Sequence, residues 1–317
     1  MPETPTYEPS AKPFLKLGTR RSPLAMAQAE EARARLCAAH NWPQDAVELV
    51  SVIASGDKVQ DRPLAEIGGK ALWTKELDAW LAERRIDAAV HSLKDVETIR
   101  PGILHIAAIL PRADKRDRLV GAISLAALPQ GSTIGTSAPR RAAQALHLRP
   151  DCRVVSFRGN VATRIARLAA GEADATFLAA AGLERLGEHG TGHVLDASEW
   201  LPAPSQGAIA LECRADDMRT RDLLAPLDHA PSRAEVTAER ALLKALGGNC
   251  HSPIAVLCDF EGEHLTMRAA IYSPDGAEKV EASARFTAGC EQGPVDLGRE
   301  LLDRAPEAIA VHFSGAA

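Results

Sequence analysis

Apolar residues along the first two thirds of the chain fall into two alternating patterns. Short apolar runs predict strands, and stretches with apolar residues at helical spacing predict amphipathic helices. Phe14–Thr19, Val47–Ala54 and Ile86–Val90 read as strands, with helices from Ser22–Pro23 to about His40 and over Lys75–Arg84. Ser22 suits an N-cap, and Pro23 suits the first helical position because the N–H it lacks would have no partner there. A second unit starts near Pro111. Strands at Ser132–Thr136, Arg153–Phe157 and Ala173–Leu178 alternate with helices at Pro139–Leu148 and Val161–Ala170, the latter capped by Asn160 and closed by Gly171. The Ala179–Leu186 segment follows. Strand–helix alternation of this kind predicts an α/β architecture built on parallel sheets.

The two units echo each other. Leu17-Gly-Thr-Arg-Arg-Ser-Pro23 resembles Ile134-Gly-Thr-Ser-Ala-Pro-Arg-Arg141, and Ile86-Asp-Ala-Ala-Val90 resembles Ala173-Asp-Ala-Thr-Phe177. Both pairs fall at equivalent strand edges, which predicts two similar α/β lobes facing a cleft. Leu201–Leu211 reads as a crossing linker that leads into a strand returning to the first lobe. After Pro231 the pattern changes to a helix at Ala234–Leu246, strands near Ile254–Phe260, Leu265–Ser273 and Lys279–Phe286, and a closing helix at Leu297–Phe313 that Pro306 interrupts. Together these give a disordered arm at 1–13, a first lobe at 14–110 and 208–227, a second lobe at 111–207, and a small antiparallel α+β domain at 228–317.

Composition narrows the function. A net charge of −5 with 4% aromatic residues disfavours a nucleic-acid binder or a polybasic membrane binder. The six cysteines (37, 152, 213, 250, 258 and 290) show no CxxC pair or zinc-like spacing, so no metal site is expected and a reduced compartment fits. The first dozen residues lack the apolar core of a signal peptide and no apolar run is long enough to span a membrane, so a soluble cytoplasmic protein is expected.

Arginine greatly outnumbers lysine, and its placement is informative. Arg20 and Arg21 lie at a strand end before a helix, Arg140 and Arg141 in the first turn of another, and Arg158 just before the Asn160 cap. A cation at a helix N-terminus is unfavourable by about 0.3–1 kcal/mol, so repeated use of such positions points to an anionic ligand. The alternative is that each arginine meets a neighbouring carboxylate. Asp95 ends a strand beside Lys94, where a carboxylate can steady a developing cation or cap the turn. His91 reads as a structural hydrogen bonder. Cys250 sits in the loop Gly-Gly-Asn-Cys-His-Ser-Pro, where a reactant can reach it. Gly68-Gly69-Lys70 lacks the remaining residues of a P-loop.

Gly18-Thr-Arg-Arg-Ser-Pro-Leu-Ala25, Gly68-Gly-Lys-Ala-Leu72, His91-Ser-Leu-Lys-Asp-Val96, Gly135-Thr-Ser137 with Arg140-Arg141, Arg158-Gly-Asn-Val161, Ala180–Gly187, Leu201–Ala208 and Glu239 through Cys250 resemble the porphobilinogen deaminase family, in family order. The resemblance implies two lobes like those of periplasmic binding proteins, with a C-terminal domain carrying a cofactor cysteine. Cys250 would hold a dipyrromethane by a thioether bond. Asp95 would be the catalytic carboxylate. Lys94, Ser137, Arg140, Arg141, Arg164 and Arg185 would bind the cofactor, and Arg20, Ser22, Lys70 and Arg158 the substrate. Porphobilinogen would lose ammonia and be joined, four times over, to the growing chain, and hydrolysis would release hydroxymethylbilane. The implied protein is a monomer. Departures are Trp73 where the family has Phe, Glu97 where it has Pro, Ala138-Pro139 where Ser-Leu is common, and Ser205 where it has Gly. Glu97 is expected to loosen the loop that holds Asp95. A binding protein for an anionic ligand would explain the lobes and arginines too, but would not need Cys250.

Overall fold

The computed structural model describes residues 13–53, 74–248 and 252–313. Contacts divide the chain into one unit of residues 1–58, 69–112 and 208–233 and another of 59–68, 113–207 and 234–317. In chain order the elements begin with β1 (Leu15–Arg20), α1 (Pro23–His40), β2 (Val47–Val52), α2 (Lys75–Ala82), β3 (Ala88–Ser92) and β4 (Leu104–Ile109). There follow β5 (Asp117–Val120), β6 (Thr133–Gly135), α3 (Pro139–Leu148), β7 (Arg153–Val155), α4 (Val161–Ala169), β8 (Ala175–Ala179), α5 (Ala180–Arg185) and β9 (His193–Val194). The chain continues with β10 (Ile209–Arg214), α6 (Met218–Leu224) and α7 (Ala230–Ala245). It closes with β11 (Ile254–Glu261), β12 (His264–Tyr272), β13 (Lys279–Thr287), α8 (Gln292–Asp303) and α9 (Glu307–Ala310).

In the first unit the sheet order is β2-β1-β3-β10-β4. β1 runs parallel to β2 and β3, whereas β10 is antiparallel to both β3 and β4. The sheet is therefore mixed rather than parallel throughout. A parallel neighbour needs a crossover connection, and β10 instead enters from residues 201–208. The expected return of this strand to the first sheet is observed. β4 was not foreseen, because Ile103–Leu110 is an apolar run broken only by His105, and its pattern fits a helix as well as a strand. Leu15, Leu17, Ala29, Leu36, Val90, Leu211 and Leu224 form the core between this sheet and its helices.

The second unit repeats the arrangement in the order β7-β6-β8-β5-β9, with β6 parallel to β7 and β8, and β5 antiparallel to β8. The internal echo in the sequence is a register in three dimensions. Leu17 and Gly18 pair with Ala88 and Ala89, as Ile134 and Gly135 pair with Ala175 and Thr176. At both places a side chain packs where a Cβ would stand. A Cβ on Gly18 would lie 2.3 Å from Ile86 Cδ1, and one on Gly135 would lie 2.5 Å from the Phe157 ring.

β11, β12 and β13 form an antiparallel meander whose apolar face carries Val256, Met267 and Ile271 against Leu242, Leu246, Leu297 and Leu301. Pro306 caps α9 and separates it from α8, in line with the interruption expected there. The α/β sheets and C-terminal antiparallel sheet are thus those anticipated. Among the described residues no helix is long and apolar enough to cross a membrane.

Candidate functional site

Parallel strands β1 and β3 end side by side, and the chain leaves both at the sheet's carboxyl edge, where ligands bind in α/β proteins. Arg20 is the last residue of β1. After β3 the chain makes a 3-10 turn over Leu93–Asp95. The local pattern explains its orientation. Leu93 and Val96 are buried, while Lys94 and Asp95 between them stay partly exposed. The Leu93 N–H donates to Ala208 O at 3.0 Å and the Val96 N–H to Leu93 O at 3.2 Å. Arg20 Nη1 lies 3.8 Å from Asp95 Oδ2, with the two side chains 18% and 34% exposed. Both line a small pocket together with Gln28, Thr74, His91 and Ser92. Gln28 projects from α1 and accepts from Ser92 Oγ at 2.9 Å. Ser22 is the N-cap of α1, accepting from the Ala25 N–H. Lys70 lies outside the described residues.

A buried charge network adjoins this pocket. His91 Nε2 approaches Glu212 Oε2 at 3.3 Å without hydrogen-bond alignment. Arg100 grips the same carboxylate with two bonds, Nε to Oε1 at 2.9 Å and Nη2 to Oε2 at 2.8 Å. Its other contacts are Asp78 Oδ1 at 2.6 Å, Glu97 Oε2 at 2.5 Å and Thr74 Oγ1 at 3.4 Å. Burial pushes the Glu212 carboxyl up, but His91 and Arg100 outweigh it and hold the group down at about 2. Asp78 is shifted the other way, raised mainly by burial. Among the described residues, Asp78, His91 and Glu212 bring three potential metal-ligand atoms within 4.8 Å of one another. The Arg100 guanidinium already bonds two of these three residues. Glu97 is not loose: it accepts from Thr74 Oγ1 at 3.1 Å as well as from Arg100.

In the second unit, Arg140 and Arg141 occupy the first turn of α3. Both are buried and turn inward to Asp117. Arg140 Nη2 donates to Asp117 Oδ2 at 2.7 Å, and Arg141 Nη2 to Asp117 Oδ1 at 2.7 Å. Arg141 Nε also donates to Asp117 Oδ2 at 3.3 Å, while Arg140 Nη1 and Arg141 Nη1 donate to the carbonyls of Leu201 and Phe177. Trp200 Nε1 and Gln206 Nε2 also donate to Asp117. Burial raises the Asp117 carboxyl, yet the two guanidiniums hold it far below the carboxylate range. The two cations at this helix N-terminus therefore have a protein carboxylate, as the alternative reading of the sequence held, and the cluster still carries two positive charges to one negative.

Arg158 is buried two residues before the Asn160 cap of α4. The Asn160 side chain accepts from the Thr163 N–H, and Arg164 Nε donates to Gly159 O at 3.0 Å. Arg185 Nη2 donates to Gly207 O at 3.2 Å, and Ser137 Oγ meets Ser156 Oγ at 2.9 Å. Cys250 lies outside the described residues.

Three residues escaped the sequence reading: Asp117, Arg100 and Glu212. The signal for Glu212 was a lone charge in the apolar run Ile209–Cys213, since a fully buried carboxylate needs a cationic partner. Nothing in sequence pointed to Arg100 as that partner.

Two family models match the chain. "Porphobilinogen deaminase, dipyromethane cofactor binding domain" matches residues 15–222, and "Porphobilinogen deaminase, C-terminal domain" matches residues 233–305. The porphobilinogen deaminase of Sphingopyxis alaskensis is 56% identical over 95% of this chain and 96% of its own. That of Paracoccus denitrificans is 47% identical over 95% and 97%. Among solved structures, the periplasmic aliphatic sulphonate binding protein of Escherichia coli covers 74% of this chain and 70% of its own, at 14% identity and a TM-score of 0.38.

Proposed function

The chain belongs to the porphobilinogen deaminase family, and from that premise we propose how its residues divide the work of the reaction. The enzyme joins porphobilinogen molecules head to tail with loss of ammonia and releases hydroxymethylbilane, a transferase step of tetrapyrrole biosynthesis that uses a dipyrromethane cofactor. Bound to the protein, that group supplies a carboxylate-bearing primer with a nucleophilic pyrrole carbon.

The residues present fit such a group. The pocket at the end of β1 and β3 sets a guanidinium beside a carboxylate, one suited to acetate and propionate groups and the other to pyrrole N–H donors. Asp95 is the catalytic carboxylate: it faces the positive charge that develops on the substrate as ammonia leaves, a charge absent from the ground state. Arg20 stands beside Asp95 and, with Ser22, Lys70 and Arg158, binds substrate carboxylates. Lys94, Ser137, Arg140, Arg141, Arg164 and Arg185 bind the cofactor's carboxylates, and Cys250 carries it by a thioether. For Arg140 and Arg141 the support is the excess positive charge around Asp117, whose bonds fix both guanidiniums in place before any ligand arrives.

The observation that carries this reading is the 3.8 Å approach of Arg20 to Asp95 at the pocket. The experiment is incubation of the purified protein with porphobilinogen, following ammonia release and the linear tetrapyrrole together. Stoichiometric appearance of both supports it, and appearance of neither removes it. We also propose that the protein acts in the cytoplasm as a monomer, which light scattering of the loaded protein tests.

A further inference from the structure

Glu212 touches both ends of the segment that carries Asp95. At the start of that segment His91 Nε2 lies 3.3 Å from Glu212 Oε2, and at its end Arg100 binds both oxygens of the same carboxylate at 2.8–2.9 Å. Lys94 and Asp95 sit between these two points. Glu212 is on β10, in register with Ala89 of β3, so the anchor belongs to the sheet and not to the loop. Arg100 ties the loop's far end to α2 as well, through Asp78. Thr74, which lines the pocket with Asp95, hydrogen-bonds Glu97 and receives Arg100 Nη1.

We propose that Arg100 and Glu212 are positioning residues for Asp95, clamping the His91–Arg100 segment at both ends so that the catalytic carboxylate is held at the pocket. The inference rests on the catalytic role given to Asp95 above. It also accounts for Glu97. A proline at that position would fix the backbone covalently; here the side chain at 97 is bound instead by Arg100 and Thr74, so an electrostatic restraint replaces a covalent one. The network is built to be rigid, because a planar guanidinium with five donors engages Glu212, Asp78 and Glu97 at once. The arrangement is also buried, with Arg100 9% and Glu212 1% exposed, so few alternative partners compete.

The test uses the full-length, cofactor-loaded protein carrying Arg100→Lys and, separately, Glu97→Gln. Lysine keeps the charge but cannot span three carboxylates with a fixed fork. Because small misplacements of a reacting group are costly, turnover per loaded molecule should fall about tenfold in R100K and about threefold in E97Q, with KM for porphobilinogen within about twofold. Cofactor content should be unchanged, and amide hydrogen exchange should quicken in residues 92–100 without spreading to β1 or β2. A merely structural role would lower the melting temperature and leave turnover per loaded molecule and KM alone. Should R100K not fold, E97Q decides, since it removes one carboxylate charge from the partly exposed side of the network. Wild-type turnover in the folded variants, or a fall in turnover without faster exchange in 92–100, overturns the proposal. Asp95→Asn run alongside separates the two possible failures. Near-normal turnover in D95N removes the reading beneath the clamp, whereas an inactive D95N with normal E97Q and R100K removes the clamp alone.

Discussion

Arg20 and Asp95, which end or follow neighbouring parallel strands, bring their charges to 3.8 Å across the pocket. The separation is longer than a hydrogen bond, so neither group is saturated by the other. The pair sets a guanidinium and a carboxylate side by side at the pocket. That combination is what a reaction needs when it binds carboxylates and generates a cation.

Asp95→Asn should keep the fold and the covalent cofactor, because Asp95 is partly exposed and the turn is held by its buried neighbours Leu93 and Val96. Turnover should drop by about 10²-fold or more, the scale of removing one preorganised electrostatic group, with the melting temperature close to wild type. Product formation per loaded molecule is the measurement.

Asp117→Asn leaves Arg140 and Arg141 buried without their carboxylate. Breaking a buried pair by removing one partner costs about 3–5 kcal/mol, and here two guanidiniums lose the same partner. The expected result is a strongly destabilised protein in urea unfolding and poor retention of cofactor.

Acid should unfold the protein through these same carboxylates. The folded-state values of Asp117 and Glu212 are depressed, so their stabilising contribution is present above the ordinary carboxylate range and is lost as pH falls. For Glu212 the window runs from its ordinary 4.5 down to about 2. Asp78, raised by burial, acts in the opposite direction and weakens the folded state as pH rises through its folded value. Each extra proton taken up on unfolding steepens the loss by about 1.4 kcal/mol per pH unit. Unfolding free energies measured from pH 5 to pH 2 should show a shallower acid limb in Glu212→Gln than in the wild type.

Ser205→Gly should stabilise the protein. Ser205 has φ +61, a left-handed conformation, and among the described residues its buried Oγ has no hydrogen-bond partner. Relief of the left-handed strain is worth about 1–2 kcal/mol and is partly offset by the entropy of glycine, about 0.5–1 kcal/mol. Removing an unsatisfied hydroxyl adds to the gain. The net change should be about +1 kcal/mol in denaturant unfolding, and the backbone bond from Ser205 N to Glu239 is available to glycine too.

Much of the fold could be read from the sequence because local and tertiary preferences agree. The Pro23 and Asn160 helix starts, the two Gly-Thr strand ends and the Pro306 break are each fixed by a residue whose own geometry leaves one choice. β4, β5 and β10 were harder. Their places depend on which strand edge a distant segment reaches, and the antiparallel insertion of β10 has no local signature. The site divides in the same way. Asp95 and Arg20 were legible because strand ends at a sheet's carboxyl edge are where ligands bind. Arg140 and Arg141 were legible as unusual cations, but their partner Asp117 lies on the distant strand β5 and could not be seen. Glu97 misled for a related reason: loss of a proline suggests a looser loop, whereas Arg100, three residues on, ties it down.

The most direct measurement of the central claim is the denatured intact mass of the purified protein beside a Cys250→Ser variant. A covalent excess equal to two linked pyrroles in the wild type, absent from the variant, is the predicted result and fixes both the cofactor and its attachment. An unmodified wild-type mass that persists after incubation with porphobilinogen would contradict the account.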